Sequence, residues 1–305
     1  MVVRLSNLLI TGNCGLIGGS LSRLLLSDKK SKYNLTGIDN FSTGIEYNME
    51  LPTFNIDLSD FNSTTKVIEK IKPKIIVHLA DDNYHNPNTN PQLALKNSFQ
   101  TLVNTLTSSL NVGSLKRFIF VSTNKYRTSF NSNHYGDLYI TFKLCCERFI
   151  MDFCTKHNII YTIIHVGDVY GVGMNYSNVK DNSLINYFKL FKLNKSICVD
   201  VNLNNLTEYV YVDDLTKFIY YLINKKDYPI VNYLTKQIYD LNSVLNMMKE
   251  ITKSKSEIKK TKLFIKRSYL DDEYHSEKYS TKENETKLKD GLIKLYSWLE
   301  SEKFC

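Results

Sequence analysis

The chain has 305 residues and a formal charge of +8, from 39 lysines and arginines against 31 acids. That length encloses a large core, as one extended domain or as two lobes. The excess charge sits mostly on dispersed lysines and the densest basic run, Lys253 to Lys262, is broken by Ser256 and Glu257, so the stripe of cations and stacking aromatics that marks a nucleic-acid binder is missing.

The first predicted strand, 6–11, runs into Gly12-Asn13-Cys14-Gly15-Leu16-Ile17-Gly18 and then a helix over 15–28. Strand, glycine turn and helix together make a seat for a pyrophosphate. Gly12 permits the tight turn, Gly15 admits a close approach to the phosphates, and Gly18 lets the helix pack on the strand. A second strand, 33–39, ends in Asp39, placed to accept the hydroxyls of an adenosine ribose and so to favour NAD over NADP.

Strands at 53–56, 74–80, 116–122 and 159–166 then alternate with helices near 62–71, 91–112 and 135–157. This alternation predicts a doubly wound, parallel α/β sheet of the Rossmann type. Beyond residue 168 come a turn at Tyr170 to Gly173, a helix over 181–193, a strand over 208–212 and a helix from Asp213 to Asn224. The expected division is a dinucleotide domain of 1–168 plus 205–235 and a smaller substrate lobe of 169–204 plus 236–305.

A Tyr-x-x-x-Lys pair on a helix places both side chains on one face, and the ammonium favours the phenolate as a base. Four such pairs occur, Tyr139/Lys143, Tyr176/Lys180, Tyr221/Lys225 and Tyr274/Lys278. Only Tyr139/Lys143 follows a strand whose carboxyl end carries Ser122 and Thr123, the end that faces the ligand crevice in such a sheet. Thr123, Tyr139 and Lys143 are therefore the expected catalytic set.

The six cysteines show no metal-binding or paired spacing and read as reduced thiols. No stretch nears the ~20 apolar residues of a membrane span. A cytoplasmic, membrane-independent protein is expected.

In these motifs, and in Asp57-Leu58-Ser59-Asp60, His78-Leu79-Ala80, Asn97, Val169-Tyr170-Gly171 and Tyr209 to Asp214, the chain resembles the extended short-chain dehydrogenases/reductases. The similarity is to their nucleotide-sugar epimerase and dehydratase branch. The resemblance implies NAD as cofactor, held by Gly12, Gly15, Leu16, Ile17 and Gly18 at the phosphates and by Asp39, Asn40, Ser42 and Thr43 beyond β-strand two. It implies that Asp57 and Leu58 flank the adenine, that Leu79, Ala80, Asn97 and Val166 complete the cofactor site, and that Lys143 also holds the nicotinamide ribose. It implies a homodimer through the helices 91–112 and 135–157, and a nucleotide-diphosphate sugar as substrate. Asp81, Asn83, Asn124, Asp168 and Arg267 are the expected substrate contacts.

Three departures bear on the reaction. Where the dehydratase branch has an Asp and a Glu after the catalytic threonine, this chain has Asn124 and Lys125, neither of which serves as a carboxylate acid or base. The branch's Arg-Pro-x-Asn appears as His165-Val166-Gly167-Asp168, and its Arg-Asp as Thr207-Glu208. An arginine suited to a diphosphate is thus missing, so either other cations such as Arg267 and Lys266 hold the diphosphate or the substrate is unusual. A 4-epimerase is the expected enzyme, with a 4,6-dehydratase, a 4-keto-sugar reductase and an inactive dinucleotide-binding relative as alternatives.

Overall fold

An unbroken apolar run must be covered on both faces, and β1 (Ser6–Thr11) lies buried between parallel neighbours β2 (Tyr33–Asp39) and β4 (Ile75–His78) in the computed structural model. Residues 5–29, 32–81, 90–125, 138–177, 183–199, 206–260, 277–280 and 285–304 are described. With β3 (Thr53–Asn55), β5 (Arg117–Thr123), β6 (Ile160–Val166), β10 (Ile230–Leu234) and β13 (Glu277–Ser280), the large sheet has the order β13-β10-β6-β5-β4-β1-β2-β3, parallel throughout. The chain runs outward from β1 through β2 to β3, then returns to build β4, β5 and β6 on the other side. That reversal opens a crevice at the carboxyl ends of β1 and β4.

Helices cover both faces. On one, Leu21 and Leu25 of α1 (Leu16–Ser27) join Leu215, Ile219 and Leu222 of α7 (Val212–Ile223) over Ile10, Val77 and Ile119. On the other, Ile68 of α2 (Phe61–Ile71), Leu106 of α4 (Thr101–Val112) and Ile150 of α5 (Leu138–Lys156) cover Leu9, Ile76 and Phe118. The Asp60 carboxylate caps α2 through the Ser63 N–H, and Gly113, at φ +70°, ends α4.

The predicted helix over 91–112 is divided. A short α3 (Pro91–Leu95) passes into one π-helical turn, Lys96–Gln100, before α4. The Thr101 hydroxyl bonds back to the carbonyls of Asn97 and Ser98 at 3.0 and 2.9 Å, which occupies acceptors at that turn. Residues 135–137, expected to open α5, lie outside the described residues.

A third core belongs to the smaller lobe. Phe188 and Phe191 of α6 (Leu184–Lys192), Leu245 and Met248 of α8 (Leu241–Thr252) and Leu292 and Leu295 of α9 (Leu288–Ser301) pack there with Tyr170 and Tyr211. Its strands β7 (Asp168–Tyr170), β9 (Leu206–Tyr211) and β11 (Ile238–Asp240) form one small sheet, and β8 (Ile197–Val199) pairs with β12 (Ile258–Lys260). Two strands fall differently from the expected division. β9, read with the dinucleotide domain, lies in the small sheet, whereas β13, read with the substrate lobe, is the outer strand of the large one. Buried Asn48 joins the lobes, its amide donating to the carbonyls of Cys14 at 3.2 Å and Gly173 at 2.8 Å.

Candidate active site

The start of α1 meets the demands of an anion. Gly15 precedes it in extended conformation, no side chain caps it, and its first turn holds no acid. The amides of Leu16, Ile17 and Gly18 are thus left for a ligand at the positive end of the helix. Gly12 has φ +67°, and a Cβ there would meet Ala80 N and the Leu79 carbonyl at 2.8 Å, while a Cβ at Gly18 would overlap the Gly12 carbonyl oxygen. Both glycines are required by close main-chain approach.

Asp39 ends β2 nearly buried, its two oxygens accepting the N–H groups of Cys14 at 2.9 Å and Phe41 at 2.8 Å. Burial raises its carboxyl above the ordinary carboxylate range, with those N–H groups in opposition. Asn40 accepts both the N–H and the hydroxyl of Ser42, and the Thr43 carbonyl accepts the Asn175 amide at 2.8 Å. An uncapped helix start followed by a carboxylate at the next strand's end suits a dinucleotide, pyrophosphate at the amides and ribose at the acid.

Other expected cofactor residues line the same strand ends. The N–H groups of Leu79 and Ala80 reach the Thr11 hydroxyl oxygen at 3.2 and 3.3 Å, and the Val166 carbonyl accepts the Asn124 N–H at 3.1 Å. Asn97 sits in the π-helical turn. Asp57 accepts the Ser59 N–H at 2.8 Å and pairs with Lys96 at 3.3 Å. Burial opposes its charge, but these partners outweigh it and hold its carboxyl below the usual range. Leu58 is buried in the core with Ile38 and Ile76, and its carbonyl accepts the Thr64 hydroxyl at 3.1 Å and the Asn104 amide at 2.9 Å.

Of the expected catalytic residues, Tyr139 and Lys143 lie together beside β5, whose last residue is Thr123. Lys143 Nζ donates to the Val121 carbonyl at 3.1 Å, lies 4.7 Å from the Phe120 ring centre and 5.9 Å from that of Tyr139. Thr123 Oγ accepts the Lys125 N–H at 3.1 Å, so its own proton points elsewhere. Tyr139 is raised above an ordinary phenol by burial, against the nearby Lys143 charge. Burial also opposes the Lys143 ammonium, yet Asp81 and Tyr139 reverse this and its pKa is raised. Of the rival pairs, Tyr221, exposed on α7, and Lys225, just beyond that helix's end, form a cation–π contact at 4.9 Å, while Lys180 and Tyr274 lie outside the described residues.

The expected substrate contacts are engaged with protein partners. Asp81 pairs with Lys143 Nζ at 2.7 Å, and Lys125 Nζ with Asp168 at 2.8 Å. The Asn124 amide donates to Glu208, whose other oxygen accepts the Thr235 N–H at 2.7 Å. Asn83, Arg267 and Lys266 lie outside the described residues.

His165 is internal, with Nε2 3.0 Å from Glu147 and Nδ1 3.0 Å from Asn232, and Glu147 also accepts the Ser122 hydroxyl. Position 165 is therefore an interior one, facing Glu147 of α5 and Asn232 of β10. This buried chain, and Ser98 donating to Asp81, are site-supporting features that spacing did not reveal. Glu147 alone carried a signal, four residues after Lys143 on the same helix.

The model of the NAD dependent epimerase/dehydratase family matches residues 8–233. GDP-6-deoxy-D-talose 4-dehydrogenase of Aggregatibacter actinomycetemcomitans is 29% identical over 278 residues, 85% of this chain and 84% of that protein. Among solved structures, UDP-glucose 4-epimerase of Thermotoga maritima superposes with a TM-score of 0.83 at 20% identity, over 97% of this chain and 99% of that one. UDP-glucuronic acid 4-epimerase of Bacillus cereus gives 0.75 at 18% identity, over 97% and 99%.

Proposed function

Because the chain belongs to the NAD dependent epimerase/dehydratase family, we propose that it oxidises and reduces C4 of a nucleotide-diphosphate sugar, as a 4-epimerase. The observation that carries this reading is Lys143, held by the Val121 carbonyl at the ligand-facing end of β5 with Tyr139 one turn before it.

NAD, which the α1 amides and Asp39 would hold, would supply the acceptor and donor of the hydride. The protein's part is the proton. Tyr139, its phenolate favoured by the Lys143 ammonium, takes the C4 hydroxyl proton and gives it back, while the Thr123 hydroxyl donates to the same sugar oxygen. The α1 amides and Asp39 fix the dinucleotide, and the smaller lobe covers the sugar.

Elimination of water is disfavoured for a physical reason. It needs an acid and a base beside the threonine, and here an amide is tied to Glu208 and an ammonium to Asp168.

A second reading, net oxidation or reduction at C4 with NAD(H) consumed stoichiometrically, is supported by the 29% relative named as a 4-dehydrogenase of a GDP-6-deoxyhexose. The outer face of α5, with Phe149 and Phe153 stacked at 5.4 Å and Phe99 edge-on to Phe149, supports a homodimer through α4 and α5. Among the described residues no helix is long and apolar enough to cross a membrane, in keeping with action in the cytoplasm.

The test incubates the protein and its Tyr139→Phe variant with NAD and UDP-, dTDP- and GDP-sugars, reading mass and proton NMR. A product of unchanged mass with C4 inverted, absent from the variant, supports the epimerase. Stoichiometric NADH supports the second reading; loss of one water, or no turnover of any sugar, overturns the proposal.

A further inference from the structure

We propose that Asp81 is a positioning residue that clamps the Lys143 ammonium and thereby limits how strongly it acts on the Tyr139 phenol. The inference rests on the reading of Tyr139 as the acid–base group.

The clamp is built from separate parts of the chain. Asp81 follows β4, lies 2.7 Å from Lys143 Nζ, and both side chains are more than nine-tenths buried. Ser98, in the π-helical turn before α4, donates to the other carboxylate oxygen and fixes its orientation. The ammonium is then surrounded by a carboxylate, the Val121 carbonyl and the face of Phe120. A buried ion pair is seldom a net gain in stability over apolar packing, so this one calls for another explanation. To the phenol, a neutralised lysine presents a dipole in place of a full charge, and the field of a dipole falls off faster.

The other groups facing this site do not replace the effect. Lys125 and Asp168 also act on Tyr139 but are paired at 2.8 Å. His78 of β4 is buried and uncharged, and burial keeps the Cys146 thiol of α5 protonated, up at about 12. Asp81 is thus the group that sets how much of the Lys143 charge Tyr139 experiences.

The experiment titrates the phenolate absorbance of Tyr139 with saturating NAD, as the difference between each protein and the same protein carrying Tyr139→Phe. Asp81→Asn removes the charge but keeps hydrogen-bonding capacity toward Ser98 and Lys143. Asp81→Ser, which leaves room for water beside the ammonium, is the second variant should the first not fold. The Tyr139 transition is expected to fall by about one pH unit or more, the scale of an opposite charge within about 4–6 Å. On a substrate, the acid limb of kcat/KM moves down in parallel. A transition that stays in place or rises, as when the unclamped lysine loses its proton, overturns the inference. The spectroscopic arm needs no sugar: a lowered transition without turnover of any sugar removes the proposed function and leaves the clamp standing.

Discussion

His78, at the end of β4, is 1% exposed and stacks on Phe118 and Phe120, with centroids 5.8 and 6.2 Å away. Thr11 Oγ accepts the N–H groups of Leu79 and Ala80, so its proton goes to His78 Nδ1 at 2.9 Å, which places the imidazole hydrogen on Nε2. Nε2 has no hydrogen-bond partner among the described residues. Protonation would break the Thr11 bond and bury a cation beside Lys143. Burial first, then the Lys143 charge, against Asp81, pushes the imidazole down to about 3 from an ordinary 6.5. Between those values the unfolded chain holds a proton that the folded chain lacks, so this contribution to stability is full above the unfolded value and is lost as pH falls. At about 1.4 kcal/mol per unit, acidification from pH 7 to pH 5 costs about 2 kcal/mol through this residue alone.

The assay is urea unfolding at pH 7 and pH 5 for the wild type and His78→Asn, whose amide oxygen still accepts from Thr11. Other titrations cancel in the comparison. The wild type is expected to lose about 2 kcal/mol more than the variant over that interval. Equal losses, or an NMR titration of His78 near its unfolded value, would refute the reasoning.

Gly18→Ala, whose Cβ would stand 2.6 Å from Asn13 Cα and overlap the Gly12 carbonyl, is expected to weaken NADH binding by about tenfold or more, read by cofactor fluorescence; unchanged affinity would remove the glycine loop from the site. In an exposed helix interior a Gly→Ala change adds about 1 kcal/mol, but in α9 the Cβ of Gly291→Ala would lie 2.8 Å from Tyr170 Cζ. A loss of about 1–3 kcal/mol is expected instead, with the sign read from guanidinium unfolding. Glu147→Ala strips Ser122 and His165 of a buried partner at once. It should cost about 3 kcal/mol, and Glu147→Gln clearly less, by the same measurement.

The alternation of apolar runs and helical periodicity placed the large sheet's first strands and helices within a few residues, because such patterns report interactions between near neighbours in the chain. Tyr139/Lys143 stood out among four identical spacings by its position after β5, and the outward Tyr221/Lys225 contact shows why spacing alone was insufficient. The π-helical turn at 96–100 leaves no mark in the sequence because its apolar pattern is still helical and the Thr101 hydroxyl that bonds back to it lies outside the turn.

From the sequence by itself came the parallel α/β architecture, the glycine turn before α1 with Asp39 at the end of β2, and the placing of Tyr139 and Lys143 on the helix after β5, each carried by a strand or helix and its adjoining residues. Tertiary structure alone decided the partners: Asp81 on Lys143, Lys125 on Asp168, Asn124 on Glu208, and His165 turned inward to Glu147. It also decided that β13 joins the large sheet and β9 the small one. The physical reason is common to both. Charge pairs and strand pairings join segments tens of residues apart, and their distances are set by the sheet order that brings the carboxyl ends of β4, β5 and β6 together.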